Sequence, residues 1–509
     1  MSAGAGTLAA KILPRLYRDS VALMALASTI EKRDGVIRVG AMMATPANLE
    51  ILRRSAMLPA DVAAAPDDLV LAVRARDDAV AAEALEAAVA GLTATDRGSG
   101  SRVETAQQTL HEGLAVMGSA TLAAVSTPGT YAPIVVEEAL RTGLHVFCFS
   151  DNVALEDEVR LKRMAADRRL LLMGPDCGTA ILDGVPLGFA NAVRPGPVAI
   201  VAASGTGAQE ISRLLDDAGS GVSQLIGVGG RDLSAAVGGL MTDLALDMVA
   251  EDAATQVVVV VSKPPDPEVA GRLLSRLERL GKPVVACLLG MDDADSPVLV
   301  RGTLEGGAAA AARLAGHPLT IDETATPDGA AAAGAGRARG RILGLYTGGT
   351  LAAEARIILD RAGLAAEILD LGDDRYTAGR PHPMIDPAAR ADRVAAAGAR
   401  SDVGLVLVDL VLGHGAAADP ATPLAEAVRA ARGAAADDGR ELVVVGSVCG
   451  TAADPQGLDE QRATLRDAGV VLLPSNAAAA RYAARVSAAV TTGSATTGSA
   501  AITANQERA

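Results

Sequence analysis

The sequence predicts an α/β protein built on parallel sheets, and two observations carry that expectation. Short apolar runs rich in β-branched residues alternate with helix-length amphipathic segments along most of the chain, the pattern of strands joined by helical crossovers. Two stretches also read as one unit written twice. Pro197–Val201 runs into Ala202-Ala203-Ser204-Gly205-Thr206-Gly207 and an amphipathic segment ending near Gly219. Ile342–Tyr346 runs into Thr347-Gly348-Gly349-Thr350 and a similar segment ending at Gly363.

In chain order, the runs that read as buried strands are Ala120–Val125, Leu144–Phe149, Leu170–Met173, Val198–Ala202, Val257–Val261, Val284–Leu289, Leu405–Val411 and Leu442–Val445. Brevity and β-branched content separate them from buried helix. The twin units keep matching past their helices, with Ile226–Asp232 after the first and Leu369–Asp374 after the second. Each then offers two more of these strands. A duplicated flavodoxin-like domain is the simplest account, and it places ligands at the carboxyl ends of the strands. Thr95–Arg102 reads as a polar loop, Ala325–Arg339 as a linker and Thr491–Ala509 as a disordered tail.

The 509 residues suffice for about three domains. A formal charge of −15, with no basic run, argues against nucleic acid and anionic membrane as partners. Neither a long apolar span nor a charged-then-apolar start occurs, so a cytoplasmic protein is expected. Cys148, Cys177, Cys287 and Cys449 lie far apart and read as buried structural thiols. No metal site is expected; Asp373 and Asp374 read as solvated turn residues.

Glycines between strand and helix let backbone N–H groups approach an anion at the helix N-terminus. Ser204, Gly205, Thr206 and Gly207, with Thr347, Gly348, Gly349 and Thr350, are therefore expected to hold a phosphate or carboxylate between two helix ends. Gly229, Gly230 and Arg231 form a second anion-suited loop, in which Arg231 either clamps the anion or pairs with Asp232. In Arg380-Pro381-His382-Pro383 two prolines stiffen the loop and fix both side chains, which makes Arg380 and His382 candidate catalytic residues. His382 there suits acid, base or carbonyl-polarising work, or simply loop capping. His414, between glycines and expected at a helix N-terminus, is a comparable catalytic candidate. Asp151 and Asn152 follow a strand and precede a helix, as substrate contacts, or Ser150 or Asp151 serves as its N-cap. Cys177 lacks a neighbouring base and makes a weak nucleophile.

Met173-Gly174-Pro175-Asp176-Cys177-Gly178, then Ala203–Gly207, then Gly227-Val228-Gly229-Gly230 resembles the α subunit of succinyl-CoA synthetase, and the second unit resembles the carboxyl-terminal domain of its β subunit. The FdrA family, which looks like that α-type chain fused to that β-type domain, resembles nearly the whole chain outside the tail. The likeness includes Asp19–Met24, Thr45-Pro46-Ala47-Asn48, Phe149–Glu158, Tyr346–Glu354 and Gly379–Pro387. It implies a Rossmann-like CoA-binding-type domain over 1–195 and a succinyl-CoA synthetase α-like flavodoxin-like domain over 196–324. A linker over 325–340, a β C-terminal-like flavodoxin-like domain over 341–490 and a tail over 491–509 complete the expected layout.

The resemblance also implies a function. FdrA-type proteins are linked to oxamate carbamoyltransferase, which interconverts oxalurate plus phosphate with oxamate plus carbamoyl phosphate in purine and allantoin catabolism. Companions of the DUF1116 and DUF2877 kinds and a heteromeric, oligomeric enzyme are expected with it, and Asn48 joins the substrate-binding set. Gly290–Gly307 lacks the phosphate-carrying histidine of the synthetase, no ATP-grasp domain is present, and Leu13-Pro14-Arg15-Leu16-Tyr17 replaces its CoA loop. No cofactor is therefore required, CoA is not expected, and phosphate and carbamoyl phosphate enter as substrates. The alternatives are an acyl-CoA synthetase subunit with a nucleotide-binding partner, or a non-catalytic CoA- or anion-binding scaffold.

Overall fold

The computed structural model describes residues 6–94, with gaps at 17, 19, 46–47, 50–51, 54, 56, 59–63 and 66–67, then 107, 109–322, 324, 340–377 and 381–487. The expected loop at 95–102, the linker at 325–339, the tail at 491–509 and Arg380 lie outside the described residues.

The stretch expected as one Rossmann-like domain over 1–195 is two pieces. The described residues between 6 and 107, with Pro381, form a compact unit of their own. It holds β1 (Thr7–Leu13), α1 (Ser20–Glu31), β2 (Val36–Met43), β3 (Leu69–Ala75) and α2 (Asp78–Ala94). Its sheet order is β1-β3-β2, and both pairings are antiparallel, from Thr7 opposite Ala75 to Leu13 opposite Leu69. Leu71, Val73 and Ala75 pack with Ala81, Ala84 and Ala88 of α2. Val70 and Ala72 face Leu52 and Met57 on the other side. The central strand β3, covered on both faces, is buried except at Arg74, and here antiparallel pairing replaces the parallel crossover that a Rossmann unit needs.

Parallel structure begins with β4 (Leu122–Val125), β5 (His145–Cys148) and β6 (Leu172–Met173), flanked by α3 (Leu110–Met117), α4 (Ala132–Arg141) and α5 (Leu155–Asp167). The hairpin β7 (Thr179–Leu182) and β8 (Val185–Gly188) then joins the next sheet. The boundary expected at 195 therefore falls after two strands that belong beyond it.

The twin units are twins in topology. The first runs β9 (Pro195–Ala203), α6 (Gly205–Asp217), β10 (Val222–Gly227), α7 (Leu240–Glu251), β11 (Val257–Ser262), α8 (Pro267–Leu277), β12 (Val284–Leu288), β13 (Leu299–Arg301) and α9 (Leu304–Leu314). The second runs β14 (Arg341–Tyr346), α10 (Gly349–Arg361), β15 (Ala366–Asp370), α11 (Asp374–Thr377) and α12 (Ala388–Ala397). It continues through β16 (Val403–Val411), α13 (Ala421–Asp437), β17 (Val443–Cys449), α14 (Leu458–Asp467) and β18 (Val470–Leu473). Apart from the added hairpin, the sheets run β13-β12-β11-β9-β10 and β15-β14-β16-β17-β18. Both are the flavodoxin-like 2-1-3-4-5 order, whose switch point lies between the first and third strands. β11 and β16 are buried along their whole length, as parallel strands covered on both faces must be.

The twins share one core, in which Ile211 and Leu214 of α6 lie with Leu351, Ala355 and Leu359 of α10. A buried polar network pins them. Glu354 accepts from the Leu304 N–H at 2.7 Å and from the Asn476 amide at 2.7 Å, and Arg481 pairs with Glu305 at 2.5 Å. Burial pushes the Glu354 carboxyl up to about 7, against the pull of its two donors. Unfolding releases the proton that the native state keeps between the ordinary value of 4.5 and about 7. Stability therefore falls as pH rises through that window, by about 3 kcal/mol. Urea unfolding at pH 5 and pH 7.5 should show this loss, and Glu354→Gln should shrink it.

Candidate functional site

The carboxyl ends of β9 and β14 bring the two glycine turns into contact. The Ser204 hydroxyl caps α6, accepting from the Gly207 N–H at 3.1 Å, and lies 2.7 Å from the Thr350 hydroxyl. Thr350 N–H in turn donates to Thr206 Oγ1 at 3.3 Å. A Cβ on Gly207 would stand 2.2 Å from Ser204 Oγ, and one on Gly348 3.0 Å from Thr206. Glycine is what allows the helix ends to abut.

The two turns are not equivalent. Thr347 N–H and Gly348 N–H donate to the Asp409 carboxylate at 2.8 and 2.7 Å, and Thr347 Oγ1 donates to it at 3.0 Å. Asp409 is itself buried and paired with buried Arg390 at 3.0 Å. The protein's own carboxylate thus fills the anion position that the sequence suggested for Thr347 and Gly348. On the α6 side, Gly205 is exposed and Thr206 half-buried. The first N–H groups of a helix have no partner within it, so the open donors are there.

His382 lies beside this junction. Its Nδ1 accepts from the Met384 N–H at 3.2 Å, which leaves the proton of the neutral ring on Nε2. The ring packs on Phe189 at 5.6 Å, and a Cβ on Gly372 would lie 2.4 Å from Nε2. Burial lowers its pKa to about 4, with the Asp151 charge pulling the other way. Among the roles open to it, a neutral N–H donor for a carbonyl or phosphoryl oxygen fits. His414 does not stand at a helix N-terminus. Gly413 and Gly415, both at positive φ, turn the chain against Ala190 and Gly188, and α13 starts only at Ala421. His414 is exposed there.

Arg231 does not pair with Asp232. It pairs with buried Glu158 at 2.6 Å and donates to the Val153 carbonyl at 2.9 Å. Asp232 is buried against Lys162 at 2.9 Å. Gly229 has φ +87, and a Cβ there would lie 2.6 Å from the Pro175 carbonyl oxygen, so its loop closes on 174–176; Gly230 stays open. Asp151 is half-buried, and Asn152 is exposed with φ +54. Neither caps α5, whose N-cap is Ala154 with no side-chain bond. Asn48 sits in the first unit, where its amide donates to the Met43 carbonyl at 2.9 Å and its N–H to Thr45 Oγ1 at 3.3 Å, a local turn role.

Motif reading gave no functional role to four residues. Lys263 follows β11, Asp370 ends β15 and Asp176 follows β6, all at the strand ends where such folds bind ligands. Asp409 sits inside an apolar strand. A Cβ on Gly349 would lie 3.0 Å from Lys263 Nζ and 2.2 Å from Asp370 Oδ2. Asp176 keeps contact with water, yet surrounding protein, then the Asp374 and Asp151 charges, push its carboxyl up to about 7. All four cysteines are buried, and burial raises Cys177 to about 12, which makes it inert. Two surface hollows lie elsewhere, one beside Arg276 and one beside Arg194 and His414. Of their arginines, Arg276 pairs with Asp243 and Asp247, and Arg194 with Asp216.

Comparison with known proteins agrees with this architecture. A family model described as CoA-ligase matches residues 345–486, and one described as AllF, heavy metal-associated domain matches 6–109. Residues 6–109 contain neither cysteine nor histidine, so the soft donors that a heavy metal takes are missing from that stretch. Among the described residues, no group of His, Cys, Asp or Glu side chains is arranged to hold a metal. No helix there is long and apolar enough to cross a membrane. The protein YahF of Escherichia coli is 37% identical over 505 residues, covering 91% of this chain and 96% of its own. The α subunit 1 of an ADP-forming succinate–CoA ligase from Archaeoglobus fulgidus is 29% identical over 174 residues, 33% of this chain and 57% of that one. A dinucleotide-forming acetyl-coenzyme A synthetase 1 from Candidatus Korarchaeum cryptofilum, solved with phosphate and ADP, aligns over 73% of this chain and 84% of its own. Its identity is 16% and its TM-score 0.32, too slight to argue from. With an AllF-type domain ahead of succinyl-CoA synthetase-like domains and a full-length relative in YahF, the chain belongs to the FdrA family.

Proposed function

We propose that the chain is a subunit of a carbamoyltransferase of the oxamate type, interconverting oxalurate plus phosphate with oxamate plus carbamoyl phosphate. The observation that carries this reading is the junction of the two glycine turns. There an open α6 N-terminus at Gly205 and Thr206 meets a neutral His382 donor, while the stretch from Gly290 to Gly307 holds no histidine to carry phosphate. Phosphate held at a helix end and attacking the carbamoyl carbon directly needs neither a phosphohistidine nor a nucleotide. His382 Nε2–H suits the oxygen that gains charge as the tetrahedral intermediate forms. CoA has no role in this scheme. Companion subunits of the DUF1116 and DUF2877 kinds would complete the enzyme in a cytoplasmic heteromer.

The test is co-expression with neighbouring gene products, followed by mixing with oxamate and carbamoyl phosphate. Phosphate release is the expected result. ATP- and CoA-dependent thioester formation without it would instead support the acyl-CoA ligase reading, which the CoA-ligase match over 345–486 favours. In the phosphorolytic direction, Thr206→Val should raise the KM for phosphate about tenfold. An unchanged KM would place the phosphate elsewhere.

A further inference from the structure

The chain uses aromatic side chains sparingly, with three phenylalanines and no tryptophan in 509 residues, yet all three phenylalanines converge on one histidine. Phe147 of β5 lies 6.4 Å from Phe149, Phe149 lies 5.2 Å from Phe189, and Phe189 lies 5.6 Å from the His382 ring, centroid to centroid. Each separation falls in the range of roughly 4.5–7 Å over which tilted aromatic rings attract. The rings come from three distant segments: β5 and the residue after it, the residue after β8, and the loop ahead of α12.

Phe189 is the link in this row, and its backbone is clamped. Its N–H donates to the Gly178 carbonyl at 2.6 Å, and its carbonyl accepts from the buried Thr179 hydroxyl at 2.8 Å. Glycines give its ring room on both edges. A Cβ on Gly178 would stand 3.4 Å from Cδ2, and one on Gly415, in the second twin, 3.3 Å from Cδ1. Phe189 thus reaches out of the first twin to meet a histidine of the second.

The charges around His382 make this seat consequential. Asp151 follows β5, Asp370, Asp373 and Asp374 flank the Gly372 turn, and Asp386 donates its N–H to the His382 carbonyl at 3.1 Å. The one cation placed among them, Lys263, faces Asp370 across the Gly349 space. Carboxylates favour an imidazolium, so a ring that stays neutral here owes it to apolar surroundings. A Cβ on Gly372 would lie 2.4 Å from Nε2 and 2.9 Å from the Thr347 carbonyl oxygen, so Nε2 faces the Thr347 turn.

We propose that Phe189, backed by Phe149 and Phe147, is the positioning residue that holds the His382 imidazole in one orientation, with Nε2–H turned to the Thr347 side of the junction. The catalytic meaning of this seat rests on the carbamoyltransferase reading, in which Nε2–H meets the oxygen that gains charge. The seat itself is read without any substrate.

The test is nitrogen-15 NMR of the full chain labelled at its five histidines, titrated from about pH 4 to about pH 8, with His382→Gln identifying the resonances. His382 of the native chain should stay neutral, as the single Nε2–H tautomer, down to about pH 5. Phe189→Leu keeps apolar volume but removes the ring face; in it His382 should titrate at least about one pH unit higher and show both tautomers. In the assembled enzyme the same change should lower kcat about tenfold and leave the KM for phosphate as it was. A native His382 that titrates as an ordinary imidazole, or a folded Phe189→Leu chain with the native titration and tautomer, overturns the proposal. Should Phe189→Leu not fold, Phe149→Leu decides, since the same changes in smaller measure are expected there and native behaviour overturns it. A fixed His382 in an assembled enzyme that transfers no carbamoyl group would sink the proposed reaction and leave the seat standing.

Discussion

Asp409→Ala should lower the stability of the paired domains by about 3–5 kcal/mol, the usual cost of stripping the partner from a buried charge. Its carboxylate is the acceptor for Thr347 N–H, Thr347 Oγ1 and Gly348 N–H and the counter-ion of Arg390. Removing it strands a guanidinium in the core and leaves the turn before α10 without acceptors. Asp409→Asn, which keeps one acceptor oxygen but no charge, should fall between. Adding Arg390→Met to Asp409→Ala should recover part of the loss, because the stranded charge goes with it. Chemical denaturation of the four proteins measures all of this; an Asp409→Ala chain as stable as the parent would mean that the carboxylate does not organise the turn.

Lys162→Met should have an effect of similar size, again about 3–5 kcal/mol, for a complementary reason. The Lys162 ammonium is wholly buried and spends its donors on Glu158 and Asp232, each at 2.9 Å, and on the Val228 carbonyl at 2.8 Å. Methionine fills much the same space and leaves two carboxylates facing one another. Glu158 keeps Arg231, and Asp232 keeps the Thr242 hydroxyl at 2.7 Å, so the unit should still fold. The loosening should concentrate in the loop from Val228 to Asp232. Hydrogen exchange there should rise well beyond that of the sheet, and exchange that rises evenly would argue against a local tether. Adding Glu158→Gln should restore part of the stability.

The duplicated half of the fold was legible because parallel strands buried on both faces announce themselves locally. Val257–Val261 and Leu405–Val411 need no partner to be recognised. Residues 7–75 gave no such signal. The outer strands β1 and β2 are only partly buried, and the central β3 is made by partners tens of residues away. Glycine turns were legible as anion sites for the same local reason, but their occupancy was not. Whether Thr347 and Gly348 face a ligand or Asp409 depends on a strand some sixty residues later. One clue was available, since a lone aspartate inside an otherwise apolar buried strand must find donors. His414 was misplaced because positive-φ glycines mark a bend without saying how soon the helix resumes.

The inequality of the two turns bears on how the chain counts its ligand. Two equivalent half-sites would allow a pair of anions to compete or cooperate within one polypeptide. With Asp409 occupying one half, the proposed phosphate site would titrate as a single, hyperbolic event per chain. Any sigmoidal response to phosphate in the assembled enzyme would then originate between subunits, never within this one.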